Sequence, residues 1–341
     1  MLSPHDRTSL FEALRPPPGY RFECGVGTSF TLNLEALLTA PIAFALFDVE
    51  ESSSDASETP HQDPSVEPVG LLESIRRYSE LLTVFCQAGQ IALPNAGRTI
   101  YAWLEDVVVE ATAPRPYRIF HPKVWISRYR DDADGTNVLR MLCATRNLSF
   151  DTSLDTILAL DSDPYTERPS ERAGSQQSAA DFIASLPRLA NRRLPDERLR
   201  SVNSLATDLR HVPLNVPEPF FDLTFHALGP PGAGAVLPDY SDRAIVISPF
   251  IGERFLDEVT RKHRLDLLLS RESTLDRISP EILSRIDRVA TLSPSIGFDR
   301  QDEAASPGEE AESEMAPPGA VVSGLHAKLF AFEADGYTRL F

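Results

Sequence analysis

The feature that most limits how this chain can fold is a pattern that occurs twice, once in each half. Of 33 basic residues only Lys123, Lys262 and Lys328 are lysines, and two of the three stand two places after a histidine, in His121-Pro122-Lys123 and His326-Ala327-Lys328. In both cases a strand-like run starting at the histidine leads to an acidic turn containing glycine, at residues 131–137 and 334–336, and then to a returning strand. Seven histidines and three lysines in 341 residues supply roughly 0.06 such pairs by chance. Two of them amount to an internal duplication at the level of a motif.

The segments before each hairpin also correspond. In the first half, residues 21–30 read as a strand running into a glycine-containing turn, and a helix follows over 32–46, interrupted near Pro41. Helical spacing returns over 71–82, and strands are expected at 83–86, 103–110, 120–129, 138–144 and 154–160. In the second half, strands at 244–248 and 265–269 alternate with helices at 253–262 and 280–289, before the hairpin of 325–333 and 338–341. Between them lie a polar Pro/Ser-rich stretch, 162–178, and two helical patterns, 179–190 and 195–211, with Pro195 suited to a first helical turn. The expected fold is α/β. It has two similar lobes, 1–161 and 220–341, each a mixed β-sheet flanked by helices, joined by a linker and helical bridge, 162–219.

The net charge of −17 is unevenly spread. Two tracts rich in Ser, Pro and Ala, 49–69 and 298–319, hold thirteen acidic residues against Arg300, and the remainder of the chain carries only −5. Both tracts read as solvated loops, and the sign of the rest neither favours nor excludes a phosphate-bearing substrate. No apolar run reaches the roughly eighteen residues a membrane span requires, and the first residues carry neither a basic leader nor an apolar signal segment. Cys24, Cys86 and Cys143 sit in apolar stretches with no spacing pattern, which reads as three buried thiols in a reducing compartment. The protein is expected in the cytoplasm, off the membrane. With no Cys-x2-Cys and no His-Glu-x-x-His, no metal or other cofactor is expected.

On a strand, residues two apart project to one face, so each histidine is expected beside its lysine, and Thr145 beside Asn147 on the returning strand. Lysine is a compact point charge, suited to a crowded site closing on a single oxygen. Asp155, on the strand after that, is placed to hydrogen-bond a histidine and fix its tautomer. Arg115, Arg118, Arg128 and Arg130 surround the first motif, and Arg188, Arg192, Arg193, Arg198, Arg200 and Arg210 lie in the bridge. They read either as a basic rim for a nucleic-acid backbone or as the ordinary solvated face of amphipathic helices.

These residues resemble the phospholipase D superfamily, whose motif is His-x-Lys-x4-Asp followed by Gly-Ser-x-Asn. The second motif fits with Glu333 in place of the aspartate. The first has Arg128 at that position, and Ala144-Thr145-Arg146-Asn147 for the later run. An absent acid with the asparagine kept is similar to the nuclease and tyrosyl-DNA-phosphodiesterase branches. The words Val-Gly-Thr-Ser-Phe (26–30), His-Pro-Lys-Val-Trp (121–125) and Arg-Asn-Leu-Ser-Phe-Asp (146–151) are similar to bacterial members encoded with helicases and restriction or phage-defence systems. A second Gly-Ser-x-Asn, which the superfamily places after the second motif, falls past Phe341, and the second lobe is read as truncated there.

The resemblance implies metal-independent phosphodiester hydrolysis at the interface of the two lobes of a pseudo-twofold monomer. In it His121 forms a phosphohistidine and His326 serves as general acid. Lys123, Lys328, Thr145 and Asn147 would hold the non-bridging oxygens, Asp155 and Glu333 would orient the imidazoles, and Arg128, Arg146, Arg192 and Arg193 would contact the substrate. DNA is the expected substrate, with a helicase or restriction/defence partner. Two other readings stay open: a phosphodiesterase for lipids or small diesters, and a catalytically inactive nucleic-acid-binding module.

Overall fold

The computed structural model describes residues 8–54, 68–94, 99–150, 152–229, 236–293 and 323–341, with the backbone alone at 46–54, 68–71, 152 and 323. Both acidic tracts fall largely outside these residues. The start of the first does not: Glu50 to Ser54 continue a helix, where a loop was expected. Among the described residues no helix is long and apolar enough to cross a membrane. Contacts divide the chain into two units, one of Leu2–Ser149 with Ile157–Pro230, the other of Phe150–Thr156 with Pro231–Phe341 and Met1.

In chain order the elements before residue 230 are α1 (Leu10–Leu14), β1 (Arg21–Ser29), β2 (Leu32–Asn33), α2 (Leu34–Ser54), α3 (Pro68–Leu81), β3 (Leu82–Gln87), β4 (Ile91–Ala92), β5 (Val108–Ala111), β6 (Val124–Arg130), β7 (Asn137–Ala144), β8 (Thr152–Leu154), β9 (Ile157–Asp161), α4 (Gln177–Leu189) and α5 (Asp196–His211). The first unit is built on a six-stranded sheet of order β5-β3-β1-β6-β7-β9. β5, β3 and β1 run parallel, and β6, β7 and β9 continue antiparallel.

Both faces of this sheet are covered. On one, Val26, Phe85, Ile126 and Met141 pack with Ile183 and Leu186 of α4 and Val202 and Leu205 of α5. On the other, Val84, Trp125, Tyr129 and Leu142 pack with Leu37 and Phe44 of α2 and Ile75 and Tyr78 of α3. Burial on both sides is why β3 reads as a continuous apolar run rather than an alternating one. The helices expected as a bridge therefore form the second layer of the first sheet. Their apolar stripes are too wide to be left uncovered between lobes. The acids at the start of α5, Asp196 and Glu197, and the bases at its end, Arg210 and His211, both suit the helix dipole.

The second unit contains β10 (Ser241–Ile247), α6 (Glu253–Lys262), β11 (His263–Leu269), α7 (Glu272–Leu275), α8 (Pro280–Leu283), β12 (Val289–Ala290), β13 (Ser323–Leu325), β14 (Leu329–Ala334) and β15 (Tyr337–Leu340). Its sheet has the order β12-β11-β10-β14-β15, with β12, β11 and β10 parallel and β14 and β15 antiparallel. Strand for strand this repeats β5-β3-β1-β6-β7. The core is smaller: Ala244, Val246, Leu265, Leu268 and Phe332 pack with Leu256, Ile278, Ile282 and Ile286. β8, taken from the first half of the sequence, pairs in parallel with β13.

Several local expectations differ from what is found. β1 continues through Gly25 and Gly27 instead of turning there, because the ring of Phe22 lies over Gly25 and that of Trp125 over Gly27. α2 passes through Pro41 unbroken, its stripe of Ala36, Leu37, Ala40 and Phe44 fully buried. Tertiary packing there outweighs the hydrogen bond that proline removes. Residues 99–104 form a 3-10 turn, and the strand expected from 103 begins only at Val108. Cys143 is exposed, whereas Cys24 and Cys86 are buried as expected.

Candidate active site

The first motif does not lie on a strand. His121, Pro122 and Lys123 are irregular backbone leading into β6, which starts at Val124. Neighbouring elements hold the segment. Val124 donates its amide to Thr28 Oγ1 at 2.8 Å, and that hydroxyl donates back to the Val124 carbonyl at 3.1 Å. The Ala144 amide donates to the Lys123 carbonyl at 2.9 Å, and Phe120 is buried immediately before the histidine. The His121 ring rests against Phe30, centroids 4.7 Å apart. Lys123 is buried, with Nζ 3.0 Å from Nδ1 and 3.1 Å from Nε2 of His121. The pairing inferred from strand alternation thus exists, but is made by a bend.

Thr145 and Asn147 lie beyond the end of β7 at Ala144, so strand alternation does not apply to them. Leu148 anchors their turn, donating to Ser29 Oγ at 2.9 Å and accepting from the Asn33 amide at 2.8 Å. The Asn147 side-chain oxygen is buried without a hydrogen-bond partner among the described residues. Arg146, beside it, donates to the Ser149 carbonyl at 3.0 Å.

The second motif likewise stands just outside a strand. His326, Ala327 and Lys328 are irregular backbone between β13 and β14. The amides of His326 and Ala327 both donate to the Leu154 carbonyl, at 3.0 and 2.7 Å. His326 Nδ1 lies 2.8 Å from Asp155 Oδ1, and both side chains are nearly buried. Asp155 was expected to orient a histidine. It does so for the second motif, because β8 pairs with β13 and ends against that segment. With the carboxylate at Nδ1, that nitrogen carries the proton and Nε2 is left for chemistry.

The two motifs occupy equivalent positions in their sheets. Gly27 pairs with Trp125 on β6, so Thr28 stands beside Val124, and Ile247 pairs with Leu329 on β14. In each sheet the histidine lies three residues before that last pair. Both motifs therefore sit at the carboxyl ends of the parallel strands, where ligand sites of α/β sheets concentrate.

Other expected site residues have different duties. Five residues of strand carry Arg128 and Glu333 about 16 Å from Lys123 and Lys328, to the far ends of β6 and β14. Arg128 is ion-paired with Glu23 at 2.5 Å and with buried Asp208 at 2.7 Å, which fastens α5 to the sheet. Glu333 is exposed and faces Arg243 at 3.8 Å, so it does not orient His326. Arg192 donates to the carbonyls of Glu105 and Val108, at the end of β5 remote from the first motif. Arg193 is exposed beside Asp196. Arg198 is buried against the Leu82 carbonyl and Thr83, and Arg210 pairs with Asp181. Arg192, Arg198 and Arg210 therefore hold helices in place, while Arg188, Arg193 and Arg200 are exposed.

One feature was not singled out in the sequence. Residues 114–119 are exposed, and Tyr117 stands fully in solvent with φ 59°, a backbone conformation uncommon for an aromatic residue. It lies four places before His121. Among the described residues no group of three or more His, Cys, Asp or Glu could hold a metal ion.

No protein-family model and no curated protein matches the chain. It is similar to solved structures of two histidine variants of yeast tyrosyl-DNA phosphodiesterase. For one the TM-score is 0.40 with 11% identity, and for the other 0.35 with 10% identity. Each likeness covers 76% of this chain and 59% of the yeast chain, so the chain spans about three-fifths of the length of these neighbours.

Proposed function

We propose that the chain is a phosphodiesterase of the phospholipase D type acting on DNA-linked diesters, its two His-x-Lys segments supplying the two histidines of the reaction. The observation that carries this reading is the repetition. The same pair recurs in the same register on two sheets of like topology, in a chain with three lysines. Histidines that merely fill a core or decorate a surface have no reason to recur this way.

In the first step a ring nitrogen of His121 attacks phosphorus as the bond to the leaving oxygen breaks, and His326 gives its proton to that oxygen. In the second, His326 takes a proton from water, the resulting hydroxide attacks phosphorus, and the P–N bond to His121 breaks. The partners fit these duties. Lys123 Nζ, 3.0 Å from His121 Nδ1, keeps a cation beside the nucleophile. Asp155 fixes the His326 tautomer so that Nε2 passes the proton. Lys123, Lys328, Thr145 and Asn147 are assigned to the non-bridging oxygens, where charge builds. Arg146, in the same turn, is assigned to the flanking substrate.

A nucleic-acid substrate is favoured by the composition around the first motif. Residues 111–124 contain no Asp or Glu, but do contain Arg115, Arg118 and Lys123. The exposed ring of Tyr117 between two arginines offers a base-stacking surface beside phosphate contacts. A helicase or restriction-system partner rests on the sequence words alone, and co-purification from the source cell tests it.

The decisive experiment incubates the protein with single- and double-stranded DNA and with phosphatidylcholine in EDTA, beside its His121→Ala and His326→Ala variants. EDTA-resistant DNA cleavage is expected, together with an acid-labile protein-bound phosphoryl group that builds up in His326→Ala and is missing from His121→Ala. Lipid cleavage without DNA cleavage would move the substrate class. Unchanged DNA binding without turnover on any diester would leave a binding module.

A further inference from the structure

The register that makes the two histidines equivalent also pairs two residues the sequence does not connect. In the first sheet Thr28 stands beside Phe85 of β3, and in the second Ile247 stands beside Leu269 of β11. Two residues further along the chain come Gln87, the last residue of β3, and Arg271, just past the end of β11. The intervening positions support the match. Ser29 Oγ donates to the carbonyl two residues on, that of Thr31, at 2.5 Å, and Ser248 Oγ does the same to Phe250 at 2.7 Å. Next to them, Cys86 Sγ lies 3.3 Å from the Phe30 carbonyl, and Ser270 Oγ donates to the Ser248 carbonyl at 2.7 Å.

Gln87 and Arg271 do the same thing by opposite chemistry. Gln87 Oε1 accepts the amide of Phe120 at 2.6 Å, and Phe120 is the residue before His121. Arg271 Nε donates to the carbonyl of Leu325 at 2.8 Å, and Leu325 is the residue before His326. The Arg271 guanidinium also lies 4.9 Å over the Phe250 ring, which stiffens it. Both motif segments are irregular backbone at the mouth of a sheet, held by a few main-chain bonds: Ala144 to the Lys123 carbonyl in one, His326 and Ala327 to the Leu154 carbonyl in the other. A side chain adds a bond at the residue before each histidine, to Phe120 just ahead of β6 in one case and to Leu325, the last residue of β13, in the other. We propose that Gln87 and Arg271 are a duplicated pair of positioning residues, each latching the residue before a motif histidine and so setting where that imidazole points.

The proposal rests on the phosphodiesterase reading for its kinetic consequence, but not for its structural one, so two readouts are needed. The first follows the ring nitrogens of His121 and His326 by NMR of imidazole-¹⁵N-labelled full-length protein across a pH titration, assigned with the single histidine variants. Gln87→Met, which keeps size but loses the acceptor, is expected to move the His121 resonances and leave those of His326 in place. Arg271→Met is expected to do the reverse. Gln87→Glu and Arg271→Gln, which retain an acceptor and a donor, are expected to restore the wild-type pattern. In the second readout kcat on a DNA diester falls about 10- to 100-fold in each Met variant with KM little changed, the scale of a misplacement near 1 Å, and recovers in the conservative ones.

Movement of both histidines together in either variant, accompanied by a lowered melting temperature, would show ordinary structural residues and overturn the proposal. Unmoved resonances in both Met variants would overturn it as well. Absence of turnover by the wild-type protein would count against the phosphodiesterase reading alone, since the NMR result decides the latch without it.

Discussion

Replacing Asp155 removes a carboxylate bonded to His326, and the consequence can be worked from the contact itself. The pair is 2.8 Å apart, with side chains 13% and 10% exposed, so the bond is little screened by water. A hydrogen bond to a charged group contributes about 1.5–3 kcal/mol. If His326 donates a proton in the transition state, Asp155→Ala should lower kcat by that amount, about 10- to 150-fold. Asp155→Asn should cost more despite its closer shape. Its amide can donate to Nδ1, which forces the proton onto Nε2 in the neutral ring and reverses the tautomer. The assay compares two DNA diesters in EDTA, one with an alkyl alcohol as leaving group and one with a nitrophenolate that departs without a proton. Both variants should lose activity steeply on the first and much less on the second, with thermal melts run beside them to separate a folding defect. Equal losses on the two esters would refute the assignment of His326 as the acid, and no loss on either would refute a role for Asp155.

Three other outcomes follow from the geometry. A methyl group on Gly27 would lie 2.9 Å from Cδ2, Cε3 and Cζ3 of Trp125; Gly27→Ala should destabilise by about 1–3 kcal/mol, and an unchanged urea midpoint would contradict this. His263 is buried, 2.9 Å from Ser241 Oγ and with its ring against Phe332. Burial first, then Lys262, holds its pKa below the ordinary 6.5. The unfolded chain therefore binds that proton more readily, so the stability is present above about pH 6.5 and is lost as pH falls from there through the folded value. Chemical denaturation of His263→Gln over that window should show a shallower acid-side loss than wild type, and parallel curves would exclude the effect. Burial pushes the thiol of Cys24 up to about 11 and that of Cys86 up to about 12; a disulfide reagent should label only exposed Cys143 in the native protein and all three thiols after unfolding, and rapid labelling of Cys143→Ser would contradict it.

Much of the architecture was legible. Apolar runs gave β3, β10 and β11, and their spacing gave α4 and α5 within two or three residues. The histidine–lysine pairing was legible too, although the reason offered for it was not the one found. The motifs stand just outside their strands, and bent backbone brings Lys123 to His121. Arg128 and Glu333 were misplaced for one reason. A motif written as a string ignores that an extended strand carries its fifth residue to the far end of the sheet. There both meet ordinary ion-pair partners, Glu23 and Asp208 in one case and Arg243 in the other.

By itself the sequence determined what local periodicity and residue choice can carry: alternating strands and helices, a bounded pair of acidic tracts, and a rare lysine twice placed after histidine. Tertiary structure decided the partners. It sent Asp155 to the second histidine through the pairing of β8 with β13, and it turned the bridge helices into a layer over the first sheet. It also put glutamine and arginine in equivalent places behind the two motifs. These outcomes depend on strand register between segments up to 171 residues apart, and no window of sequence contains both sides of such a contact.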